Sequence, residues 1–347
     1  MLPRDIKSMT KEEISETFKE LGLPSFRTSQ VFSWLQSGCS SFDDMTNIPK
    51  QLREVLTEKF DIYSVLAERK LVSKLDGTVK YLFKLHDGEY IESVFMSYKH
   101  GYSVCISTQV GCNMGCCFCA SGIGGKIRDL TASEMLSQIM YIAKDNGVRI
   151  SNVVMMGMGE PLDNFENTIR FLQLVSAEEG LGIGMRHISL STSGVVPKIY
   201  ELAKYNFPIT LSVSLHAPFD EMRSRMMKIN DKWNIDELLS ACKAYQKSTT
   251  RRISFEYALI KDVNDSRECA QMLAELLKGI MSHVNLIPAN PVVENDFIRS
   301  TEKSVTEFVR VLESKGVTTT VRRTLGADID ASCGQLRKKT LDNRREE

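Results

Sequence analysis

The chain has 347 residues, 42% of them hydrophobic, and its 44 Lys and Arg side chains equal its 44 Asp and Glu side chains in number. That length suffices for one large domain with a small accessory domain, and the composition is ordinary for a globular protein. No apolar run reaches the length of a membrane span, and the polar first residues do not read as a signal peptide, so we expect a cytoplasmic protein.

Balanced charge gives no sign of nucleic-acid binding. Any RNA contact would depend on local basic clusters, among them Lys126, Arg128 and the stretch 223–228.

Residues 1–62 are predicted to form a small helical domain. Thr10 and Glu13 have the spacing of a capping box, and Ile14, Phe18 and Leu21 then fall on one helical face. A second helix is predicted over 29–36. Pro49 is suited to the first position of a third helix.

Residues 63–100 change to the period of strands. Asp76-Gly77 and Asp87-Gly88 are each flanked by strand-like runs, which is a strong signal for β-hairpins. We expect a hairpin segment that links the helical domain to the rest of the chain.

Residues 101–336 alternate between strand-like and helix-like segments. The predicted strands are 103–108, 152–156, 187–192, 209–215, 253–260, 283–287 and 317–323. The predicted helices are 131–145, 164–178, 196–204, 235–247, 265–278 and 302–315. Repeated strand–helix units predict an α/β fold, a partial (β/α)6-type barrel whose site lies at the carboxyl ends of the strands. Residues 337–347 read as a charged, loose tail.

Four of the nine cysteines crowd into eight residues directly after the first barrel strand. Cys112, Cys116 and Cys119 have the spacing C-x3-C-x2-C, and Cys117 interrupts it. Thiolates favour iron–sulfur clusters and zinc. Zinc would need a fourth nearby ligand, usually in a second C-x2-C unit, and the sequence has none. Three thiolates on a 4Fe-4S cluster would leave one iron open for a substrate.

This spacing after a first barrel strand resembles the signature of the radical S-adenosylmethionine (SAM) superfamily. The resemblance implies that SAM binds the open iron and is cleaved to a 5′-deoxyadenosyl radical. Glu160, in a glycine-rich turn after the second strand, could receive the ammonium group of SAM. Ser191, Ser214, His216 and Asn290 would lie on the same rim, although each alone is more often a turn or cap residue.

Ordered motifs along the whole chain narrow the resemblance. They are DDMTNIPKQLR (43–53), STQVGCNMGCCFCAS (107–121), VVMMGMGEPLDN (153–164), SLSTSGVVP (189–197), SLHAP (214–218), VNLIPANP (284–291) and DIDASCGQL (328–336). Together they resemble the RlmN-type adenine-C2 methyltransferases of ribosomal and transfer RNA.

The resemblance assigns roles to matching positions. The cluster ligands are Cys112, Cys116 and Cys119. The SAM contacts are Gly159, Glu160, Ser191, Ser214, Leu215, His216 and Asn290. Glu92 matches the catalytic acid–base residue, Cys333 the cysteine that carries the methyl group, and Cys105 its disulfide partner. Carbon 2 of adenine is electron-poor, so a thiolate first takes the methyl group and a radical then attacks the ring. The substrates implied are 23S ribosomal RNA, at the peptidyl transferase centre, and transfer RNA anticodon loops. A donor such as flavodoxin or ferredoxin and a monomeric state are also expected.

Two alternatives remain open at this point. Cfr-type enzymes methylate carbon 8 of the ribosomal adenosine with the same cluster and cysteines. We expect Ala after the pocket glutamate in those enzymes, whereas this chain has Pro161. A non-catalytic iron–sulfur or zinc RNA-binding protein would need no SAM pocket.

Overall fold

The structure, a computed structural model, describes residues 4–288 and 298–329. Asn290, Cys333 and the predicted tail at 337–347 lie outside these residues. The α-helices described are α1 (Lys11–Glu20), α2 (Phe26–Gln36), α3 (Lys50–Lys59), α4 (Ala132–Asn146), α5 (Phe165–Val175), α6 (Val196–Lys204), α7 (Asp220–Met226), α8 (Ile235–Thr249), α9 (Arg267–Leu276) and α10 (Glu302–Ser314). The strands are β1 (Arg4–Asp5), β2 (Phe60–Asp61), β3 (Leu66–Val72), β4 (Val79–Lys84), β5 (Tyr90–Tyr98), β6 (Gly101–Cys105), β7 (Gln109–Gly111), β8 (Lys126–Asp129), β9 (Ile150–Met155), β10 (Ile188–Thr192), β11 (Thr210–Ser214), β12 (Ile253–Leu259), β13 (Ser282–Pro288) and β14 (Thr318–Val321).

A ten-stranded sheet organises the molecule, in the order β14-β13-β12-β11-β10-β9-β6-β5-β4-β3. The strands β6 and β9 to β14 pair in parallel, with helices in the connections between them. Side chains from β5, β6 and β9 to β13 line one shared cavity, so the sheet curls around it. The predicted partial barrel is confirmed, and β14 extends it by one parallel strand.

The hairpin segment is part of the barrel sheet rather than a separate link. The strands β3, β4 and β5 pair antiparallel, and β5 continues the ladder by pairing with β6. Both predicted Asp-Gly turns lie between these strands. Because side chains alternate along a strand, Glu92, Val94 and Met96 share one face of β5, and Val94 lies directly opposite Cys105 of β6. Glu92 and Cys105 therefore face the same side of the sheet.

The helical unit at the start of the chain folds as the capping pattern predicts. Thr10 Oγ1 accepts a hydrogen bond from the Glu13 N–H, and Glu13 Oε2 accepts one from the Thr10 N–H at 2.8 Å. Pro49 precedes α3 as its N-cap and does not occupy the first helical position. Ser133, at the start of α4, donates its hydroxyl to Asp5 Oδ2 at 2.5 Å, which fastens the unit to the barrel.

The short elements that were not predicted include α7, β7 and β8. The helix α7 has seven residues and no side-chain N-cap, so its sequence carries little periodicity. The strands β7 and β8 pair antiparallel around the cysteine loop. No helix in the described part of the chain is both long and apolar enough to cross a membrane.

Candidate active site

The β7–β8 pair closes the ends of the cysteine loop against each other. Gly111 has φ +79°, and a Cβ there would lie 1.9 Å from the Gly125 carbonyl oxygen. Only glycine permits this approach of the two backbones. The loop between these glycines carries the three motif cysteines, so its closure brings the thiols to the barrel mouth.

A cavity of about 300 Å³ lies at the carboxyl ends of the parallel strands. It is lined by all three motif cysteines and by most of the predicted SAM contacts: Cys112, Cys116, Cys119, Gly159, Glu160, Ser191, Ser214 and His216. Leu215 does not line the cavity, because its side chain is buried in the core. Asn290 follows β13 outside the described residues. Cys117 is exposed and does not line the cavity.

The three motif thiols share one cavity. Within the described residues, no three His, Cys, Asp or Glu side chains converge on one point as a zinc site requires. A 4Fe-4S cube binds each thiolate through a different iron, so its ligands share a cavity without converging. Burial raises the pKa of the Cys112 thiol to about 12, and burial likewise raises the pKa of the Cys116 thiol. Binding iron must therefore release protons.

Glu160 is held in the cavity wall by backbone hydrogen bonds. Its Oε2 accepts from the Ser193 N–H at 2.7 Å and its Oε1 from the Leu162 N–H at 3.0 Å. Burial raises the pKa of this carboxyl, and the hydrogen bond from Ser193 opposes that shift. Gly159 has φ +103°, and a Cβ there would lie 2.5 Å from Gln109 Cβ, so the turn that aims Glu160 requires glycine. A cationic ligand group would favour the ionised carboxylate.

We expect Glu160→Ala to weaken SAM binding by about 10- to 100-fold, since a hydrogen bond to a charged group contributes about 1.5–3 kcal/mol. Equilibrium binding of SAM to the reconstituted protein measures this change. Glu166→Ala, which removes an exposed carboxylate from α5, is the control and should bind SAM normally. An unchanged dissociation constant for Glu160→Ala would remove this residue from the SAM site.

His216 presents a defined tautomer to the cavity. Its Nδ1 accepts a hydrogen bond from the Ala258 N–H at 2.9 Å, so the ring proton is assigned to Nε2. Burial, reinforced by the nearby Arg223 charge, lowers the pKa of His216 to about 3. The imidazole is therefore neutral at physiological pH and offers one N–H donor. A φ of +58° places it at a sharp bend after β11.

Arg223 corrects one of our sequence interpretations. The sequence offers the stretch 223–228 as a candidate RNA contact, yet Arg223 is fully buried. Its guanidinium donates to the carbonyl oxygens of Ser193 at 2.7 Å, Ser214 at 3.1 Å and Leu215 at 3.1 Å. It also donates to Asn230 Oδ1 at 2.9 Å. One side chain thus joins the ends of β10 and β11, where the cavity wall is built.

Replacing Arg223 should destabilise the protein. Arg223→Met would leave buried carbonyl oxygens without donors, at about 1–3 kcal/mol each. We expect a loss of about 3 kcal/mol or more in the free energy of unfolding, measured by urea denaturation. Arg225→Met is the control, because Arg225 is exposed and its ion pair with Glu221, on the same helix face, contributes about 0.3–0.5 kcal/mol. Equal midpoints for the two variants would contradict this role.

Two other basic candidates are engaged with acids. Lys126 Nζ lies 2.7 Å from Asp163 Oδ2, and Arg128 Nη1 lies 2.8 Å from Glu134 Oε2. These pairs brace the cysteine loop and α4. They leave Lys126 and Arg128 poorly suited to binding phosphate.

A second cavity, of about 570 Å³, continues along the inside of the barrel and is lined by Cys105. The two cavities share Met156, Glu256 and Arg322 in their walls. Glu256 accepts hydrogen bonds from Asn285 Nδ2 at 2.7 Å and from the Ser254 hydroxyl at 3.0 Å, and burial raises its pKa. We did not single out Glu256 from the sequence. The sequence feature that could have indicated it is a single carboxylate in β12, whose sequence ISFEYAL is otherwise mostly apolar.

Glu92 lies on the inner face of β5 and forms a buried ion pair. Lys80 Nζ is 2.9 Å from Glu92 Oε2, and the two side chains are 0% and 1% exposed. Neither residue lines the 300 Å³ cavity. The Glu92–Lys80 pair therefore lies on the same face of the sheet as Cys105, while Cys333 lies outside the described residues.

Comparisons with known proteins agree with this arrangement. The sequence profile described as "Radical SAM superfamily" matches residues 106–275, and the "Ribosomal RNA large subunit methyltransferase N-terminal domain" matches residues 4–62. A protein of Clostridium botulinum (strain Eklund 17B / Type B), named "Probable dual-specificity RNA methyltransferase RlmN", is 53% identical over 99% of this chain and 100% of its own length. A relative of the same name from Alkaliphilus metalliredigens (strain QYMF) is 51% identical over 98% of this chain and 96% of its own. The chain belongs to the RlmN family.

A solved structure supports the same family at the level of the fold. The radical SAM methyltransferase from Sphaerobacter thermophilus superposes with a TM-score of 0.91 at 42% identity, over 96% of this chain and 99% of that chain. The likeness covers both the helical unit and the barrel. The expected fold and family are therefore confirmed.

Proposed function

We propose that this protein is a radical SAM enzyme that methylates carbon 2 of adenosine in RNA. The observation that carries the proposal is that three cysteines, Glu160 and His216 line one cavity. This cavity shares part of its wall with a second cavity, which Cys105 lines. A binding protein would have no need of this paired arrangement. We take RNA as the substrate because the relatives of this chain are named RNA methyltransferases.

The cofactor sites follow from the cavity wall. Cys112, Cys116 and Cys119 hold a 4Fe-4S cluster. Glu160, through its carboxylate, and His216, through its Nε2–H, orient SAM, together with the backbone at Gly159 and the hydroxyls of Ser191 and Ser214. Leu215 contributes through its backbone, and Asn290 completes the proposed set. When bound, the cluster supplies the electron that cleaves SAM and yields a carbon radical.

The protein's own cysteines carry the group transfer. The Cys333 thiolate takes a methyl group from one SAM, and one hydrogen atom of that S-methyl group then passes to the 5′ carbon of the adenosyl group from a second SAM, which leaves a carbon radical on the cysteine. The radical adds to carbon 2, and the ring proton passes to Glu92. The Cys105 thiolate then attacks the Cys333 sulfur, forming a disulfide as the carbon–sulfur bond breaks. The product carbon takes a proton, and the surplus electron passes to a one-electron acceptor.

Carbon 2 is favoured over carbon 8 by the family and by one residue. The relatives at 51–53% identity bear the name RlmN. Pro161 lines the cavity directly after Glu160, where we expect Ala in Cfr-type enzymes. We propose that it shapes the cavity for the carbon-2 reaction.

The partners follow from the chemistry. We propose 23S ribosomal RNA and transfer RNA as substrates, with the target base unstacked so that it reaches the barrel mouth. Flavodoxin or ferredoxin is the proposed electron donor, and the enzyme is proposed to act as a monomer in the cytoplasm, where these RNAs are found.

Mapping methyladenosines in RNA from cells with and without this protein tests the proposal. We expect 2-methyladenosine at defined positions only when the protein is present. Methylation at carbon 8 alone would replace the proposal with the Cfr-type reaction. An identical map in both cells would contradict RNA methylation altogether.

A further inference from the structure

The chain that follows β14 returns across the open side of the barrel and docks on the β3–β4 turn. Asp328 Oδ1 accepts a hydrogen bond from the Ser73 hydroxyl at 2.6 Å, and its Oδ2 accepts one from the Lys74 N–H at 2.8 Å. In return, Asp76 Oδ2 accepts from the Gly326 N–H at 2.8 Å. Each side of this joint supplies one carboxylate to the other, across about 250 residues of sequence.

The β3–β4 turn is preorganised to receive this chain. Asp76 Oδ1 accepts from the Thr78 N–H at 2.9 Å, which fixes the carboxylate and directs its other oxygen to Gly326. The Ser73 hydroxyl accepts from the Leu75 N–H at 3.2 Å, so its proton is available for Asp328. Partial burial opposes ionisation, but the N–H groups of Gly326 and Thr78 lower the pKa of Asp76 to about 2. The joint is therefore charged at every physiological pH.

Between β14 and the joint, the chain touches the inner face of the sheet. Leu325 packs in one apolar cluster with Val94, Met96 and Cys105. The chain around Gly326 is thus held in two places. Leu325 packs against the apolar cluster that contains Cys105, and Asp328 binds the β3–β4 turn. Cys333 follows Asp328 by five residues in the sequence, a length that spans at most about 17 Å.

We propose that Asp328, Ser73 and Asp76 are positioning residues that hold the chain leading to Cys333 beside Cys105. The inference rests on the proposed roles of these two cysteines. Attack of one thiolate on the other sulfur depends on their effective concentration, which a tether fixed at a short distance raises. Losing the joint would increase the number of residues between Cys333 and the nearest held residue, and would lower that concentration without altering either thiol.

The position of the joint separates this role from one in stability. Asp328 is exposed, and its partner Lys74 is exposed in the β3–β4 turn, whereas Ser73 is buried, so Asp328→Ala is the decisive variant. Removal of exposed side chains outside the core usually changes stability little. The joint is also remote in sequence from the cysteine loop and contributes no side chain to the 300 Å³ cavity.

The test measures the effective concentration of Cys105 and Cys333 in the anaerobic holoenzyme. In a buffer of reduced and oxidised glutathione, two protein thiols and one oxidised glutathione exchange to one protein disulfide and two reduced glutathiones, and alkylation with mass spectrometry counts the disulfide. We expect Asp328→Ala to lower the effective concentration about 10-fold or more, as loss of two charge-assisted hydrogen bonds implies. Ser73→Ala should act in the same direction, and the double variant should lose less than the sum of the two single changes.

Glu313→Ala is the matched control, because it removes an exposed carboxylate from the helix that precedes β14. It should match the wild type. A second readout is the number of 5′-deoxyadenosine molecules formed per methylated RNA, which should rise in Asp328→Ala at unchanged iron content. Asp328→Asn, which keeps one acceptor oxygen, should lie between Ala and the wild type in both readouts.

The outcomes separate the inference from the proposed function. The positioning role would be overturned if Asp328→Ala kept the wild-type effective concentration and the wild-type ratio of 5′-deoxyadenosine to methylated RNA. This holds even if Cys105→Ala stalls as expected. Normal turnover of Cys105→Ala would instead overturn the proposed chemistry. Loss of iron in Asp328→Ala, with equal loss in Ser73→Ala, would show a structural joint and also reject the positioning role.

Discussion

Cys105→Ala is expected to accumulate a covalent adduct between the protein and its RNA substrate. If Cys333 carries the methyl group, formation of the carbon–carbon bond leaves the RNA tied to the Cys333 sulfur. Release needs a second thiolate that attacks this sulfur. With Cys105 removed, cluster assembly and methylation of Cys333 should continue. Each enzyme molecule should then form the carbon–carbon bond once and stop with the RNA still bound to Cys333.

The structure gives this prediction its physical basis. Cys105 lies at the end of β6, opposite Val94, and lines the cavity adjoining the one that the three motif cysteines line. Leu325, eight residues before Cys333 in the sequence, packs against the apolar side chains of Val94 and Met96 and against Cys105. The chain that precedes Cys333 in the sequence thus packs near Cys105 at Leu325.

The adduct is measured by denaturing electrophoresis and by mass spectrometry after nuclease digestion. The double variant Cys105→Ala/Cys333→Ala should lack it, because no sulfur is left to carry the methyl group. Free methylated RNA released by Cys105→Ala over many turnovers would show that the resolving role is wrong.

Cys116→Ala should abolish cluster binding and all methylation. Cys116 is the middle one of the three proposed ligands, and its carbonyl oxygen accepts a hydrogen bond from the Cys119 N–H at 3.2 Å. Two remaining thiolates cannot hold a cube in a defined orientation, and SAM cleavage depends on that orientation. Iron and acid-labile sulfide, measured after anaerobic reconstitution, should fall to background.

The neighbouring cysteine provides the control for this change. Cys117 is exposed and does not line the cavity, so Cys117→Ala should retain the full complement of iron and sulfide. The pair of variants differs by one position in the same loop. A fully active Cys116→Ala enzyme, or a Cys117→Ala enzyme without a cluster, would refute the ligand assignment.

Local and periodic features of this fold could be predicted from sequence. The Thr10 capping box, the two Asp-Gly turns and the barrel strands each depend on neighbouring residues or on a regular alternation. The cysteine loop and the Glu160 turn were predictable because their residues follow successive parallel strands, which end at the same rim. These are the parts that the structure places as expected.

Contacts between distant segments could not be predicted in this way. Nothing local in the sequence says that Asp328 meets Ser73 or that Lys80 meets Glu92, since each pair depends on strand order and register. Arg223 looked like part of a basic surface cluster, but its burial depends on four acceptors brought together by separate elements. Periodicity also cannot tell that the hairpin segment joins the barrel sheet.

The central claim is that the methyl group passes through the Cys333 sulfur and loses one hydrogen before it reaches the RNA. SAM with a fully deuterated methyl group tests it directly, with the reconstituted enzyme and RNA substrate under multiple turnover. The mechanism predicts that the new methyl group on carbon 2 retains two deuterium atoms and one hydrogen from solvent, and that 5′-deoxyadenosine gains one deuterium. A product methyl group that retains all three deuterium atoms would mean direct transfer and would contradict the account.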